Sequence, residues 1–426
     1  MSLGQRIREL RQTRGLTQSQ LGGADLSKSF ISLLEKDHTH PSLETIVLLA
    51  RRLGTSVDAL LGQNDHLPEM VAEGLLTLAR EAARADDRQG TNRLVEAARF
   101  LAARHGLDET AREIGLRDAG IALEERRFES AWDLAAQVRA QSETAGDFWR
   151  TGRALVLMGW VKIRTREIPE ARPLLEDALL TLRRARAGRD PARVEALVAL
   201  GTALGYLGDH AAAIRRFEEA ARSDVAQHNL VFRGRALWGM GLAHRKLGRP
   251  EAAGEYLLQA KDAFEAAEEL RDLAGVLKNL GDLRLQQGQP REALPLFHHA
   301  LRVTDRLGRR VMHASTMTEI ARAHLMLGDT DEAAAFAGRS RAEAVQAGDP
   351  VEVAEAQVVL ARVSLLRREP QAAIRLYKEA LTAFQARKMH EKVADVAREL
   401  GLLLRERGAH TKAAGYLAMS LDAGRS

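Results

Sequence analysis

The chain has no cysteine in its 426 residues. That excludes a disulfide framework and thiolate-held metals, and it fits a reducing compartment, the cytoplasm. The N-terminal "MSLGQRIREL" contains no apolar signal core and is charged from Arg6 onward. No window approaches 18 uncharged apolar residues, so a membrane-spanning helix is not expected. A large excess of one charge is also missing. There are 63 basic and 58 acidic side chains, a net charge of +5. That permits an anionic partner without giving a basic surface. Alternating β-branched residues are nearly absent and turn signals are sparse, so the chain reads as helical throughout.

Two zones follow different rules. In the first, five short helices are expected: Leu3 to Thr13, Thr17 to Gly22, Ser27 to Lys36, Ser42 to Leu53 and Ser56 to Leu61. Thr17 before "QSQL" and Ser27 before "KSF" are helix starts, and Thr55 with Asp58 makes a capping box. "GQNDHLP", Gly62 to Pro68, combines glycine, polar residues and proline, and marks the boundary. The expected division is residues 1–62, a linker at 63–67, and a second zone at 68–424.

The second zone is periodic. Gly201, Gly241, Gly281, Ala321, Ala361 and Gly401 stand 40 residues apart. Each follows an apolar residue: Leu200, Met240, Leu280, Ile320, Leu360 and Leu400. Seven positions on come Gly208, Gly248, Gly288, Gly328, Arg368 and Gly408. Twelve on come Ala213, Ala253, Ala293, Ala333, Ala373 and Ala413. Small residues let two helices approach, a glycine ends the first helix in a left-handed turn, and the alanine column packs the second helix back. Such a hairpin cannot bury its apolar face alone and must stack on its neighbours. The register resembles the tetratricopeptide repeat, lengthened from the usual 34 residues, an excess that should add a turn or so to the helices. The resemblance implies a right-handed superhelix of about nine hairpins.

The first zone resembles the helix-turn-helix domains of the Xre/Cro/phage-repressor family. The matching landmarks are Ile7-Arg8-Leu10-Arg11, Gly15-Leu16-Thr17-Gln18, Leu21, Ile31-Ser32, Glu35, Pro41-Ser42-Leu43, Leu49-Ala50, Leu53-Gly54 and Ser56-Val57-Leu60. The turn "LGGADLS", Leu21 to Ser27, is one residue shorter than usual in that family. The implied fold is all-α, a five-helix lambda-repressor-like domain followed by the repeats. From periodicity, Ile31 and Leu34 face the core, and Lys28, Ser29 and Ser32 lie opposite. A helix fits the major groove with its first residues on base edges. By resemblance, Lys28, Ser29 and Ser32 are base readers and Gln18 holds a phosphate. Arg11 and Arg14 are candidates for neutralising the DNA backbone. Phe30 and Leu33 lie at the edge of that face, where they either meet thymine methyl groups or pack. Residues 1–65 hold eight basic and seven acidic side chains, so affinity has to come from local charge placement and dimerisation.

In the tetratricopeptide repeat, the first helix of each hairpin lines a concave face. The resemblance places there Trp160, Tyr206, Trp238, Arg245, Lys278, Arg322, Arg362, Arg398 and Arg405. Asn279 stands where related proteins hold a peptide backbone, since an amide both donates and accepts. The basic set suits carboxylates of a short ligand. The alternative reading leaves the arginines solvated and the tryptophans filling gaps between repeats. No phosphate loop, His-Glu-x-x-His pattern, nucleophile elbow or metal-ligand spacing occurs in the sequence. An enzyme, a cofactor and a metal are therefore not expected.

The layout is similar to that of bacterial quorum-sensing peptide receptors. It implies a cytoplasmic, dimeric regulator that binds operator DNA and senses a ligand, a short peptide. The alternative is a repressor or scaffold whose repeats bind a protein partner or only oligomerise.

Overall fold

The structure is a computed structural model, and it describes residues 3–23, 25–39, 41, 43–61, 67–84, 87–188, 190–307 and 310–424. The described residues are helices and their connections, with no strand among them. The chain forms two compact units, Met1–Ala203 and Leu204–Ser426.

The first unit begins with five helices: α1 (Leu3–Thr13), α2 (Gln18–Gly22), α3 (Lys28–Leu34), α4 (Leu43–Arg52) and α5 (Val57–Leu61). Their common core is Ile7, Leu21, Ile31, Leu34, Ile46, Leu49, Ala50, Leu53 and Leu60, all nearly or fully buried. The cap signals act locally. The Thr17 hydroxyl accepts from Gln20 N at 3.2 Å while Gln20 Oε1 accepts from Thr17 N at 2.8 Å, a reciprocal capping box. The Ser27 hydroxyl accepts from Phe30 N at 3.1 Å and starts α3. One cap is displaced from the sequence expectation. Helix α5 starts on Ser56, whose hydroxyl accepts from Ala59 N at 3.0 Å, rather than on Thr55. Gly4 lets α1 cross the end of α3 closely, because a Cβ there would lie 2.3 Å from the Leu34 carbonyl oxygen.

Helical hairpins follow among the described residues, three in the first unit and five in the second. The first unit holds Leu67–Arg84 with Arg88–Arg104, Asp108–Glu124 with Phe128–Thr144, and Phe148–Arg164 with Ile168–Arg184. The helix Pro191–Tyr206 carries the boundary between the two units, and His210–Ala221 follows it in the chain. The last five hairpins begin at Leu230, Leu270, Arg310, Pro350 and His390, each 40 residues after the one before. Most of these helices span 17 residues, which is how the longer repeat is accommodated. One feature escaped the periodicity. The helix His210–Ala221 is only 12 residues long. A short helix, Asp224–His228, capped by Ser223, fills the remainder.

The register has a plain packing basis. A Cβ at Gly281 would meet the Phe297 ring at 2.3 Å, and one at Gly241 would meet Leu257 at 2.7 Å. Gly159 with Leu175 and Gly401 with Leu417 repeat the arrangement. A large side chain sixteen residues on thus nests over each glycine. The alanines at 213, 253, 293, 333 and 373 are fully buried. The turn glycines Gly208, Gly248, Gly288, Gly328 and Gly408 have φ of +69° to +84°. Arg368 takes the same left-handed conformation at φ +60°.

The expected linker at 63–67 lies almost wholly outside the described residues; the first repeat helix starts at Leu67. Met70 on that helix packs against the core of the five-helix domain.

Candidate functional sites

Helix α3 presents the polar face that the sequence indicates. Ile31 and Leu34 are buried, while Lys28 and Ser29 are exposed and Ser32 is half-buried. Phe30 is half-buried and packs against the domain core. Leu33 is 46% exposed.

The three other sequence candidates in this domain are engaged internally. Arg11 donates to both carboxylate oxygens of Glu35, at 2.5 and 3.0 Å, and to the Leu16 carbonyl at 2.7 Å. Gln18 Nε2 donates to Glu35 at 2.9 Å. Burial by itself would raise the Glu35 carboxyl, but the Arg11 and Gln18 hydrogen bonds outweigh it and hold the group below the usual carboxylate range. The same bond raises the Arg11 guanidinium. Arg14 reaches the Gly54 carbonyl at 3.0 Å. These side chains therefore brace α1, α2 and the end of α4.

Sequence reasoning missed Arg52. Its Nη1 donates to the carbonyls of Leu21, at 3.0 Å, and Gly22, and its Nη2 pairs with Asp25. These groups lie at the end of α2 and in the short turn that leads to α3.

On the first repeat helices, the candidates fall into different settings. Trp160, in the unit Met1–Ala203, packs against Leu155, Val156 and their neighbours. Tyr206 is 56% exposed. Trp238 donates its indole N–H to Asn279 Oδ1 at 2.7 Å, so these two candidates satisfy each other. The Trp238 ring also lies against Phe264, edge-on at 6.1 Å, and a Cβ at Gly275 would meet it at 2.5 Å. Trp238 thus fills a gap between repeats.

Two of the basic candidates, Arg322 and Arg362, are matched by acids of the next repeat, and Arg322 also by Glu319 on its own helix. Arg322 pairs with Glu319 at 2.7 Å and with Glu355. Arg362 donates to Glu399 at 2.6 and 3.1 Å, and the buried Tyr377 hydroxyl donates to the same carboxylate at 2.7 Å. Lys392 reaches Glu355 at 2.8 Å. Burial opposes the charged forms of Glu355 and Glu399, yet their cationic partners hold both carboxyls below the usual range. Arg398 has a loose partner, Asp395 at 3.6 Å, and Arg405 is exposed.

Arg245 and Lys278 lie near a different group, Asp282. Its Oδ1 is buried without a hydrogen-bond partner. Burial, then the Glu319 carboxylate, push Asp282 up to about 7 against the pull of Lys278, Arg245 and Arg322. The acidic partners were visible in the same columns. Glu319 and Glu399 stand at the register position of Asn279, and Asp282 at that of Arg322 and Arg362.

Among the described residues, no group of three His, Asp or Glu has metal-holding geometry, and no helix is long and apolar enough to cross a membrane.

Comparisons with known proteins agree with this layout. Residues 7–60 match the helix-turn-helix family. Residues 150–224, 232–304 and 272–342 match one tetratricopeptide-repeat family, and 377–426 another. An immunity repressor protein of Bacillus phage phi105 is 42% identical over 74 residues, 17% of this chain and about half (51%) of the repressor's length. The HTH-type transcriptional regulator DdrOP3 of Deinococcus deserti is 47% identical over 88 residues, 20% of this chain and 68% of that regulator. Two solved structures share the fold at low identity. The apo quorum sensor NprR of B. thuringiensis gives a TM-score of 0.60 at 13% identity, covering 82% of this chain and 98% of that one. The Rap conjugation gene regulator of plasmid pLS20, solved with a Phr peptide, gives 0.54 at 15%, covering 84% and 95%. A specific N-terminal kinship thus joins a shared helical-repeat fold, and the chain belongs to the Xre-type helix-turn-helix regulators that carry tetratricopeptide repeats.

Proposed function

We propose that the chain is a sequence-specific DNA-binding transcription regulator, with α3 as its reading helix and the repeats as a sensor for a short peptide. The observation that carries the DNA part is the exposed pair Lys28 and Ser29 on the first turn of a capped helix, above a fully buried Ile31–Leu34 stripe. Such a face can enter a major groove without costing the domain its core. Ser32 and Leu33 extend it by one turn. Phe30 belongs to the domain core, so a contact with thymine falls to Leu33. Arg11 and Gln18 shape the surface from behind, through Glu35.

The peptide part rests on chemistry and on kinship of fold. The first helices of the second unit carry paired acids and bases, and so offer donors and acceptors together. An extended peptide backbone, which needs both, suits this face better than a simple polyanion does. The solved pLS20 regulator holds a peptide, and the same class of ligand is proposed here. Dimerisation completes the reading, because one short helix in one groove gives little affinity by itself.

The test uses the full-length protein and a random duplex pool. The wild type is expected to enrich one sequence, and Lys28→Ala combined with Ser29→Ala is expected to abolish the enrichment. Unchanged enrichment would remove α3 from its reading role. Mass spectrometry of small molecules released from the purified protein tests the sensor. A co-purifying short peptide supports it, and a tightly held protein partner on the repeats would favour the scaffold alternative.

A further inference from the structure

We infer that Arg52 is a positioning residue for DNA reading, one that sets the angle of α3 without touching DNA. The inference rests on the reading role proposed for α3.

Helix α2 ends at Gly22, and its last carbonyls have no partner further along the helix. Leu26 N serves the Gly22 oxygen at 3.0 Å. Gly23 sits at φ +56° and ψ −141°, outside the usual left-handed helical cap. The guanidinium of Arg52 takes over there. One nitrogen bridges the Leu21 and Gly22 carbonyls, and the other pairs with Asp25, two residues before the Ser27 cap. A single planar group therefore grips the end of α2 and the last part of the turn into α3. A Cβ on Gly23 would lie 2.8 Å from the Arg52 guanidinium, so the turn backbone is pressed against it.

The grip is anchored at its root. Arg52 is the last residue of α4, next to Leu53 and one turn after Leu49, both fully buried. Its position is thus fixed by the domain core, and that position is passed to the turn. Arginine suits this task because its fork holds two acceptors at a set angle. The family resemblance makes the turn one residue short. In this chain a side chain from α4 reaches the carbonyls that open that turn.

The experiment compares full-length wild type, Arg52→Lys, Arg52→Met and Asp25→Asn. Two readouts are taken: binding to the duplex that the wild type selects against a scrambled duplex, and amide hydrogen exchange of residues 28–34 without DNA. Arg52→Met is expected to lower the specific-to-scrambled ratio about tenfold, the size of one misread base pair. The slope of log K against log salt should stay at the wild-type value, and exchange in α3 should quicken. Arg52→Lys should restore part of the ratio, and Asp25→Asn should lose a smaller share than Arg52→Met. A salt slope shallower by about one would make Arg52 a phosphate contact and overturn the inference. Unchanged α3 exchange in both Arg52→Met and Asp25→Asn would also overturn it, even if Arg52→Met reduced stability elsewhere. The exchange readout needs no DNA. If the wild type preferred no duplex, the reading role of α3 would fail, while faster α3 exchange would still uphold the grip of Arg52.

Discussion

At the scale of single residues, charge is used more for internal bracing than for display. Arg11, Arg14 and Arg52 each hold a carbonyl at the end of a helix or turn in the N-terminal domain. Asp282 is one exception, a carboxylate with one buried oxygen left without a donor. Its folded value of about 7 stands well above the unfolded value near 4. Between those values the folded chain keeps a proton that the unfolded chain has released. Stability contributed at this site therefore falls as pH rises through that window. Asp282→Asn is expected to raise the melting temperature at pH 8, with a gap to wild type that narrows towards pH 4. Thermal unfolding at several pH values checks this, and a variant less stable than wild type at pH 8 would sink the account. Glu35 has the opposite sign. Its lowered value gives stability that is present above about pH 4.5 and is lost on acidification.

At the scale of elements, the hairpins at Gly159, Gly241, Gly281 and Gly401 each depend on a glycine beneath a large side chain. This much was legible in the sequence, because the small residue and its partner sixteen positions on are both local to one hairpin. Gly281 gives the sharpest case, since Phe297 is fully buried over it. Gly281→Ala places a Cβ against that ring, and overpacking of this kind costs about 1–3 kcal/mol. Urea denaturation should show a lowered midpoint with an unchanged slope; an unchanged midpoint would mean that the two helices can separate freely. The ion pairs between successive repeats were not legible in this way. Arg362 was read as a solvated or ligand-facing cation, and its partner Glu399 lies 37 residues away. The two columns are each visible in the sequence, but which faces which depends on how one hairpin is stacked on the next.

At the scale of the whole molecule, the bracing predicts how DNA affinity responds to salt. Within residues 1–65, eight basic side chains stand against seven acidic ones. Three of the eight, Arg11, Arg14 and Arg52, are already bonded internally. Arg8, Lys28, Lys36 and Arg51 are exposed. Each phosphate neutralised adds about 0.9 to the salt slope, so a slope no steeper than about 4 per reading head is expected. Fluorescence anisotropy at several salt concentrations measures it. A much steeper slope would bring arginines of the repeat zone into contact with the DNA.

The sequence by itself determined the helical class, the two zones, the 40-residue register and the polar face of α3. All of these follow from periodicity, caps and turns, which act over a few residues or one hairpin. Tertiary structure decided which charged groups remain available. It turned Arg11 and Gln18 inward onto Glu35, matched Arg322 and Arg362 with acids of the next repeat, and brought Arg52 from α4 to the turn before α3. The physical reason is that a charge finds its partner through space, and in this chain the partners stand 17 to 37 residues apart.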